Sequence, residues 1–216
     1  MLINSQTLRL YLIADDKACY PKPLITAVEE VIDSGITCVQ LRMKHQSLHA
    51  VYSQAKSLQK LLKPRNIPLI INDFVEVVQA VDAEGIHIGQ TDKPYAYVRQ
   101  QLGYKKIIGL SIQTIQHAEQ CKSFDCDYFG VGPVFATSTK IDARPSIGIA
   151  NLNKITSILS KPIVAIGGIN ENNINLVLPT QISGIALSAG IFSSINPQQT
   201  TQILSQLTSQ SFYDAK

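Results

Sequence analysis

A short segment of the chain alternates polar and apolar residues in a way that suits anion binding. Leu41 and Met43 separate Gln40, Arg42 and Lys44, so an extended strand would point the three polar side chains to one side. Arginine offers a planar fork of donors and lysine a compact charge, and both bind phosphate groups. The segment predicts a phosphate site at a strand end, with a solvated strand edge as the alternative.

Acidic residues follow the next two apolar runs. Asn72 and Asp73 come after the run 68–71, and Asp92 comes after the run 85–88. If these runs are neighbouring strands, the two carboxylates can meet beside the basic residues, where Mg²⁺ is usually held by one or two carboxylates and substrate phosphates. Asp73 could instead cap the helix that follows it. His87, inside the second run, is interpreted as an interior residue rather than a catalyst.

Hydroxyl and small residues follow the later apolar runs. Ser111 could donate to a ligand or cap the next helix. A long loop, 132–146, holds the sequence Thr-Ser-Thr-Lys at 137–140, a plausible set of anion donors. Gly167 and Gly168, and then Ser188 and Ala189, follow the last two runs. Such small residues let backbone N–H groups approach a phosphate, although tight turns also favour glycine.

The elements that would position these residues repeat regularly. Apolar runs occupy 8–14, 37–41, 68–71, 85–88, 107–110, 127–131, 162–166 and 183–187. Helical patterns lie between and after them, at 23–34, 47–62, 74–81, 94–102, 114–121, 149–159, 172–178 and 198–207. This alternation predicts a parallel sheet with right-handed crossovers. We expect an α/β protein with a single-domain (β/α)8 TIM barrel over 1–216, whose chemistry lies at the carboxyl ends of the strands. A doubly wound open sheet is the alternative, and 208–216 is expected to be a loosely ordered tail.

Composition narrows the class of protein. The 216 residues are 45% hydrophobic and carry a formal net charge of +3, which favours an ordinary globular domain and gives no indication of nucleic acid binding. The four cysteines form no C-x-x-C pair, so neither a disulfide framework nor a structural zinc site is expected. We see no signal peptide pattern and no long apolar run, so no membrane span is expected and the expected location is cytoplasmic.

Several stretches together resemble the thiamine phosphate synthase family. They are QLRMK at 40–44, PLIIND at 68–73, GIHIGQTD at 85–92, GLS ending at Ser111, GVGPVFATSTKIDARPSIG at 130–148 and VAIGGI at 164–169. The resemblance runs in order from Leu10 to about Phe192. It implies a transferase that joins an aminopyrimidine diphosphate to a thiazole phosphate, or to its carboxylated form. Thiamine phosphate and pyrophosphate would form by a Mg²⁺-assisted dissociative substitution.

The resemblance also implies a role for each site residue. The pyrimidine diphosphate would be bound by Gln40, Leu41, Arg42, Met43, Lys44, Asn72, Ser111 and Lys140, with Arg42, Lys44 and Lys140 catalytic. The thiazole phosphate would be bound by Thr137, Ser138, Thr139, Gly168, Ser188 and Ala189. Asp73 and Asp92 would hold Mg²⁺. The partners are small phosphorylated substrates, and the family resemblance suggests a homodimer.

Three other interpretations stay open at this stage. A thiazole tautomerase-like homologue would bind similar ligands without joining them, but such proteins typically lose the pyrophosphate-binding residues that are retained here. A sugar-phosphate isomerase barrel would usually display an acid–base pair, whereas the paired groups here look more like metal ligands. A non-catalytic barrel that binds thiamine phosphate would release no pyrophosphate from the two substrates.

Overall fold

Eight parallel strands close into a barrel in the order of the chain. The protein is represented by a computed structural model that describes residues 3–137 and 145–213. The strands are β1 Leu10–Asp15, β2 Cys38–Arg42, β3 Leu69–Asn72, β4 Gly85–Ile88, β5 Ile107–Ile112, β6 Tyr128–Val131, β7 Ile163–Ile166 and β8 Gly184–Leu187. β8 pairs with β1 through Leu10 and Ile185. The predicted (β/α)8 barrel is therefore confirmed, and the open sheet is wrong.

Helices alternate with these strands. They are α1 Ser5–Leu8, α2 Asp16–Cys19, α3 Leu24–Val31, α4 Leu48–Leu62, α5 Val75–Val81, α6 Tyr95–Leu102, α7 Ile115–Cys121, α8 Gly148–Ile158, α9 Ile174–Val177, α10 Ala189–Phe192 and α11 Pro197–Tyr213. Single 3-10 turns, Ile32–Ser34 and Lys63–Arg65, extend α3 and α4. The sequence did not predict α1, α2 and α10. Each has only four residues, which is too few to show a helical period, and each lies within two residues of a strand, so it was not separated from the apolar run.

The longest predicted amphipathic pattern forms the helix that it indicated. In α4, Val51, Ala55, Leu58 and Leu62 are buried along one face, and Ser47 caps the first turn by accepting from the backbone N–H of Ala50. In the described part of the chain, no helix is both long and apolar enough to cross a bilayer.

Two apolar layers surround the strands. The larger layer lies between the barrel and its helices. The smaller one fills the barrel interior and consists of Leu8, Tyr11, Ile13, Cys38, Ile70, Ile107, Tyr128, Val164 and Ala186. Because both faces of each strand are covered, the strands read as continuous apolar runs rather than as alternating ones.

The last helix extends further than expected. α11 continues to Tyr213, and the Thr208 side chain is fully buried and donates to the carbonyl of Leu204. The expectation of a loosely ordered tail from Thr208 is therefore wrong for residues 208–213, while 214–216 lie outside the described residues. The polar composition of this stretch did not indicate a helix. Its threonine hydroxyls donate to backbone carbonyls of the preceding turn, which satisfies them within the helix.

Barrel closure should depend on a glycine at the start of β8. A Cβ atom on Gly184 would overlap the carbonyl oxygen of Leu8, a backbone atom that cannot swing away. We expect Gly184→Ala to lower the free energy of unfolding by about 1–3 kcal/mol. Gln181→Ala, at an exposed position nearby, should stay within about 0.5 kcal/mol of the parent. Urea denaturation of both variants measures the difference, and equal stabilities would contradict the steric argument.

Candidate active site

A cavity of about 500 Å³ opens at the carboxyl ends of the strands. This volume is in the usual range for a small-molecule site. Its lining includes Gln40, Arg42, Lys44, Asn72, Asp73, Asp92, Ser111, Thr137, Gly168, Ser188 and Ala189. The barrel thus brings together predicted residues from widely separated parts of the sequence.

Two predicted site residues do not line the cavity. Leu41 is fully buried and Met43 nearly so, and both pack in the layer between the barrel and its helices. The strand alternation that points Gln40 and Arg42 inward necessarily points these two side chains outward, so their predicted substrate contacts stay a prediction that their backbone groups would have to fulfil. Ser138, Thr139 and Lys140 lie outside the described residues.

Arg42 is held by a carboxylate that the sequence analysis did not single out. Its Nη1 forms an ion pair with Oδ2 of Asp15, whose side chain is only 1% exposed. The other oxygen of Asp15 accepts from the backbone N–H groups of Lys17 and Ala18 and so caps α2. Both carboxylate oxygens of Asp15 therefore accept hydrogen bonds, and the side chain fixes the guanidinium at the cavity wall.

A second cluster joins one ammonium group to two carboxylates. Nζ of Lys44 lies 3.5 Å from Oδ2 of Asp73 and 3.3 Å from Oδ1 of Asp92. Burial, together with the hydrogen bond and negative charge of Asp92, raises the pKa of Asp73 to about 7. Although burial acts to raise the pKa of Asp92 as well, hydrogen bonds from Asp73, Gly89 and Lys44 hold it below its usual range. The pair therefore shares a proton near neutral pH and presents about one negative charge to Lys44.

Asp73 does not have the capping role that was its alternative. The residue at the N-cap of α5 is Phe74, and no side chain caps that helix. Asp73 has a left-handed backbone with φ of 65°, a conformation that costs energy for a residue with a Cβ atom. The carboxylate is thus directed at Lys44 and Asp92 at the cavity rather than at its own helix.

The opposite side of the cavity is built from small residues. Gly167 and Gly168 follow β7 with φ of 98° and 66°, and a Cβ atom on Gly168 would collide with the backbone of Ala136. Next to this turn, after the neighbouring strand β8, the buried Oγ of Ser188 has no hydrogen-bond partner in the described part of the chain. A buried hydroxyl without a partner is costly, so this position suits a ligand oxygen.

Backbone hydrogen bonds fasten the base of the long loop beside that turn. The N–H groups of Val134 and Phe135 donate to the carbonyls of Ile166 and Gly167 over 2.9 and 3.0 Å. At the C-terminal end of the loop, the N–H of Ile147 donates to the carbonyl of Pro133, near the start of the loop, over 2.8 Å. The loop therefore begins and ends at the cavity rim.

A chain of side-chain hydrogen bonds crosses the cavity floor. Nε2 of Gln40 lies 3.1 Å from the Tyr11 hydroxyl, which lies 2.9 Å from the Tyr128 hydroxyl. Nδ1 of His87 is 3.0 Å from Tyr128, and its Nε2 is 2.9 Å from Oγ of Ser111. Ser111 does not cap α7, because Thr114 does so.

Several functional residues escaped the sequence analysis for identifiable reasons. Asp15 is the last residue of β1, and the sequence analysis missed it because it ended this strand at residue 14. Tyr11 and Tyr128 sit within apolar runs, where their rings are indistinguishable from core residues. Gly109, on the strand next to Tyr128, could have indicated that Tyr128 points into the barrel, because a glycine there leaves space for its ring.

Comparison with known proteins identifies close relatives. Residues 10–191 match the family model described as Thiamine monophosphate synthase. A thiamine-phosphate synthase from Vibrio parahaemolyticus is 40% identical over 199 residues, which are 92% of this chain and 97% of that protein. A thiamine-phosphate synthase from Clostridium tetani is 45% identical over 182 residues, 84% of this chain and 87% of that protein.

Solved structures agree with these sequences. The thiamine phosphate pyrophosphorylase from Pyrococcus furiosus superposes with a TM-score of 0.86 and 31% identity over 96% of this chain and 98% of that one. The 3-hexulose-6-phosphate synthase from Salmonella typhimurium has a TM-score of 0.71 at 10% identity, covering 94% of this chain and all of that one. The second likeness is one of fold alone.

The Asp15–Arg42 pair should stabilise the fold cooperatively. We expect Asp15→Ala to cost about 2–4 kcal/mol of unfolding free energy, because it removes a helix cap and leaves a largely buried guanidinium without its partner. Adding Arg42→Met should recover part of that loss, giving a coupling of at least about 1 kcal/mol in a double-mutant cycle. The exposed pair Lys161–Asp125, with a separation of 3.0 Å, is the control and should couple by less than about 1 kcal/mol. Additive losses at Asp15 and Arg42 would refute the positioning role.

Proposed function

This chain belongs to the thiamine monophosphate synthase family, and we propose that it joins an aminopyrimidine methyl diphosphate to a thiazole phosphate, or to its carboxylated form. Pyrophosphate would be released and thiamine phosphate formed, and the carboxylated thiazole would also lose carbon dioxide. The family membership supports a transferase, and the cavity supports the choice of substrates.

The observation that carries this proposal is the presence of two different anion-binding regions in one cavity. One region has the cations Arg42 and Lys44 with three carboxylates beside them. The other has the glycine turn at Gly168 and the unpartnered hydroxyl of Ser188. A diphosphate with a metal ion fits the first region, and a monophosphate fits the second, since its oxygens accept from backbone N–H groups and hydroxyls.

The proposed chemistry breaks one bond and forms another without removing a proton. The bond between the pyrimidine methylene carbon and the diphosphate oxygen breaks, and its electron pair leaves with the diphosphate. The lone pair of the thiazole nitrogen then forms the new carbon–nitrogen bond. Arg42 and Lys44 would stabilise the negative charge that grows on the leaving group, and the cavity would hold the methylene carbon close to the thiazole nitrogen. This pathway requires no strong base.

Asp73 and Asp92 fit a divalent cation. Both carboxylates lie within 3.5 Å of Nζ of Lys44, so a divalent cation bound beside them would offset their mutual repulsion and allow both to ionise. Two carboxylates suit Mg²⁺ because it keeps waters and takes substrate phosphate oxygens as its remaining ligands. When bound, Mg²⁺ would neutralise charge on the diphosphate oxygens.

The loop after β6 completes the proposal from its family resemblance. Thr137 lines the cavity, and Ser138 and Thr139 are proposed to bind the thiazole phosphate with it. Lys140 is proposed to contact the diphosphate as it leaves. The hydrogen bonds of Val134 and Phe135 to the turn after β7 support these roles, since they hold the described start of the loop beside the cavity. A homodimer is proposed on the family resemblance.

Turnover should require both substrates and Mg²⁺. We expect a chelator to abolish pyrophosphate release and added Mg²⁺ to restore it. Asp73→Asn and Asp92→Asn should each lower kcat/KM at least about 100-fold, because each removes a proposed metal ligand. Glu119→Gln, at an exposed carboxylate on α7 outside the cavity lining, is the control and should behave like the parent.

Pyrophosphate release measured by a coupled assay separates the alternatives. A tautomerase-like or merely binding protein would release none from the two substrates. Full turnover in the presence of chelator would contradict the metal proposal, while leaving the condensation itself intact.

Ser188 should affect one substrate selectively. If its hydroxyl donates to the thiazole phosphate, Ser188→Ala should raise KM for that substrate about 10- to 150-fold, the effect of losing a hydrogen bond to a charged group. KM for the pyrimidine diphosphate should change less than about threefold. Ser193→Ala, an exposed residue that follows α10, is the matched control. Equal effects on both substrates would place Ser188 in general stability rather than in phosphate binding.

A further inference from the structure

The hydrogen-bond chain on the cavity floor joins five strands into one network. Its members are Gln40 on β2, Tyr11 on β1, Tyr128 on β6, His87 on β4 and Ser111 on β5. Both end residues line the cavity and belong to the proposed pyrimidine site. The three central residues have no role in the chemistry proposed above.

The barrel is built to accommodate the central rings. Gly109 and Gly130 stand where side chains would otherwise point into the interior. A Cβ atom on Gly109 would overlap the Tyr128 ring, and one on Gly130 would lie 2.9 Å from Cε1 of His87. Tyr11 and Tyr128 are each only 1% exposed, and their ring centroids are 5.9 Å apart. The rings are therefore fixed by packing as well as by their hydrogen bonds.

The donors in this network can be ordered from one end. Burial raises the pKa of both Tyr11 and Tyr128 well above the usual range, so both hydroxyls keep their protons. With the amide nitrogen of Gln40 donating to Tyr11, Tyr11 donates to Tyr128 and Tyr128 donates to Nδ1 of His87. In a neutral imidazole the proton then resides on Nε2, which donates to Oγ of Ser111.

This order determines what the two ends offer to a ligand. Gln40 keeps its amide oxygen free as an acceptor, and Ser111 keeps its hydroxyl proton free as a donor. The reverse order would instead turn the amide nitrogen of Gln40 toward the cavity. An exocyclic amine on a pyrimidine is a donor, so only the first order lets Gln40 accept from it.

We propose that Tyr11, Tyr128 and His87 are positioning residues. They fix the amide orientation of Gln40 and the donor direction of Ser111. The site therefore selects a pyrimidine with an exocyclic amine over one with an oxo group at the same ring position. This inference rests on the proposed function for the identity of the substrate. The network moves no proton in the reaction. The network keeps the amide oxygen of Gln40 directed at the cavity as an acceptor. An oxo group on the pyrimidine would then face this oxygen, and two acceptors repel each other.

Substrate discrimination tests this proposal. The enzyme is assayed with the aminopyrimidine methyl diphosphate and with its analogue carrying an oxo group in place of the amine. The ratio of the two kcat/KM values should fall at least about tenfold in Tyr128→Phe, because Gln40 can then turn its amide. Tyr95→Phe removes a hydroxyl that contacts Arg99 outside the cavity, and it should keep the parent ratio. An unchanged ratio in Tyr128→Phe would overturn the proposal.

The tautomer of His87 gives a second readout that needs no activity. Long-range proton–nitrogen NMR distinguishes the two neutral tautomers, and His87→Gln identifies the signal among the four histidines. In the wild-type protein without substrates, we expect the proton on Nε2. A proton on Nδ1, or on both nitrogens, would overturn the donor order even if Tyr128→Phe failed to fold.

The two readouts separate this proposal from the proposed function. If the wild-type protein released no pyrophosphate, the condensation would be wrong, and the tautomer would still decide the donor order. If the wild-type protein released pyrophosphate normally but its His87 carried the proton on Nδ1, the condensation would stand and the positioning role would fail.

Discussion

The pairing of β8 with β1 is the constraint on which the rest of the structure depends. It turns a row of parallel strands into a ring, so every strand ends at the same mouth. Residues as distant in sequence as Arg42 and Ser188 consequently line one cavity. The same closure encloses an interior that side chains must fill, and two glycines there leave room for Tyr128 and His87. The polar floor and the charged rim are thus two results of one topology.

Charges at the rim compensate one another before any ligand binds. Asp15 faces Arg42, and Lys44 faces the proton-sharing pair Asp73 and Asp92. Each cation is held in place by a carboxylate, so little reorganisation is needed when a diphosphate arrives. Ser188 contrasts with this arrangement, because its buried hydroxyl has no hydrogen-bond partner among the described residues. An unsatisfied neutral hydroxyl costs less free energy than an unpaired buried charge.

The sequence predicts the barrel well because its signals are local and repeated. Apolar runs and helical periods mark each element, and strand alternation places Gln40 and Arg42 inward. That same alternation shows why Leu41 and Met43, carried over from the family resemblance, do not line the cavity. The sequence did not show which side chains on different strands would contact one another. The ion pair of Asp15 and the hydrogen bonds of Tyr128 join residues far apart in the chain, and only register across the closed sheet brings them together.

Barrel closure also has a consequence for how the chain folds. The pair Leu10 and Ile185 brings together residues 175 positions apart, while each of the other seven strand pairs joins strands that follow one another in sequence. Loop-closure entropy rises with the length of chain enclosed, and contacts of high sequence separation slow folding. During synthesis, β1 has one edge unsatisfied until β8 has left the ribosome, so nearly the whole polypeptide must exist before the ring can form. An exposed edge of this kind is prone to pairing with other chains, and this nascent state is where aggregation would compete with folding.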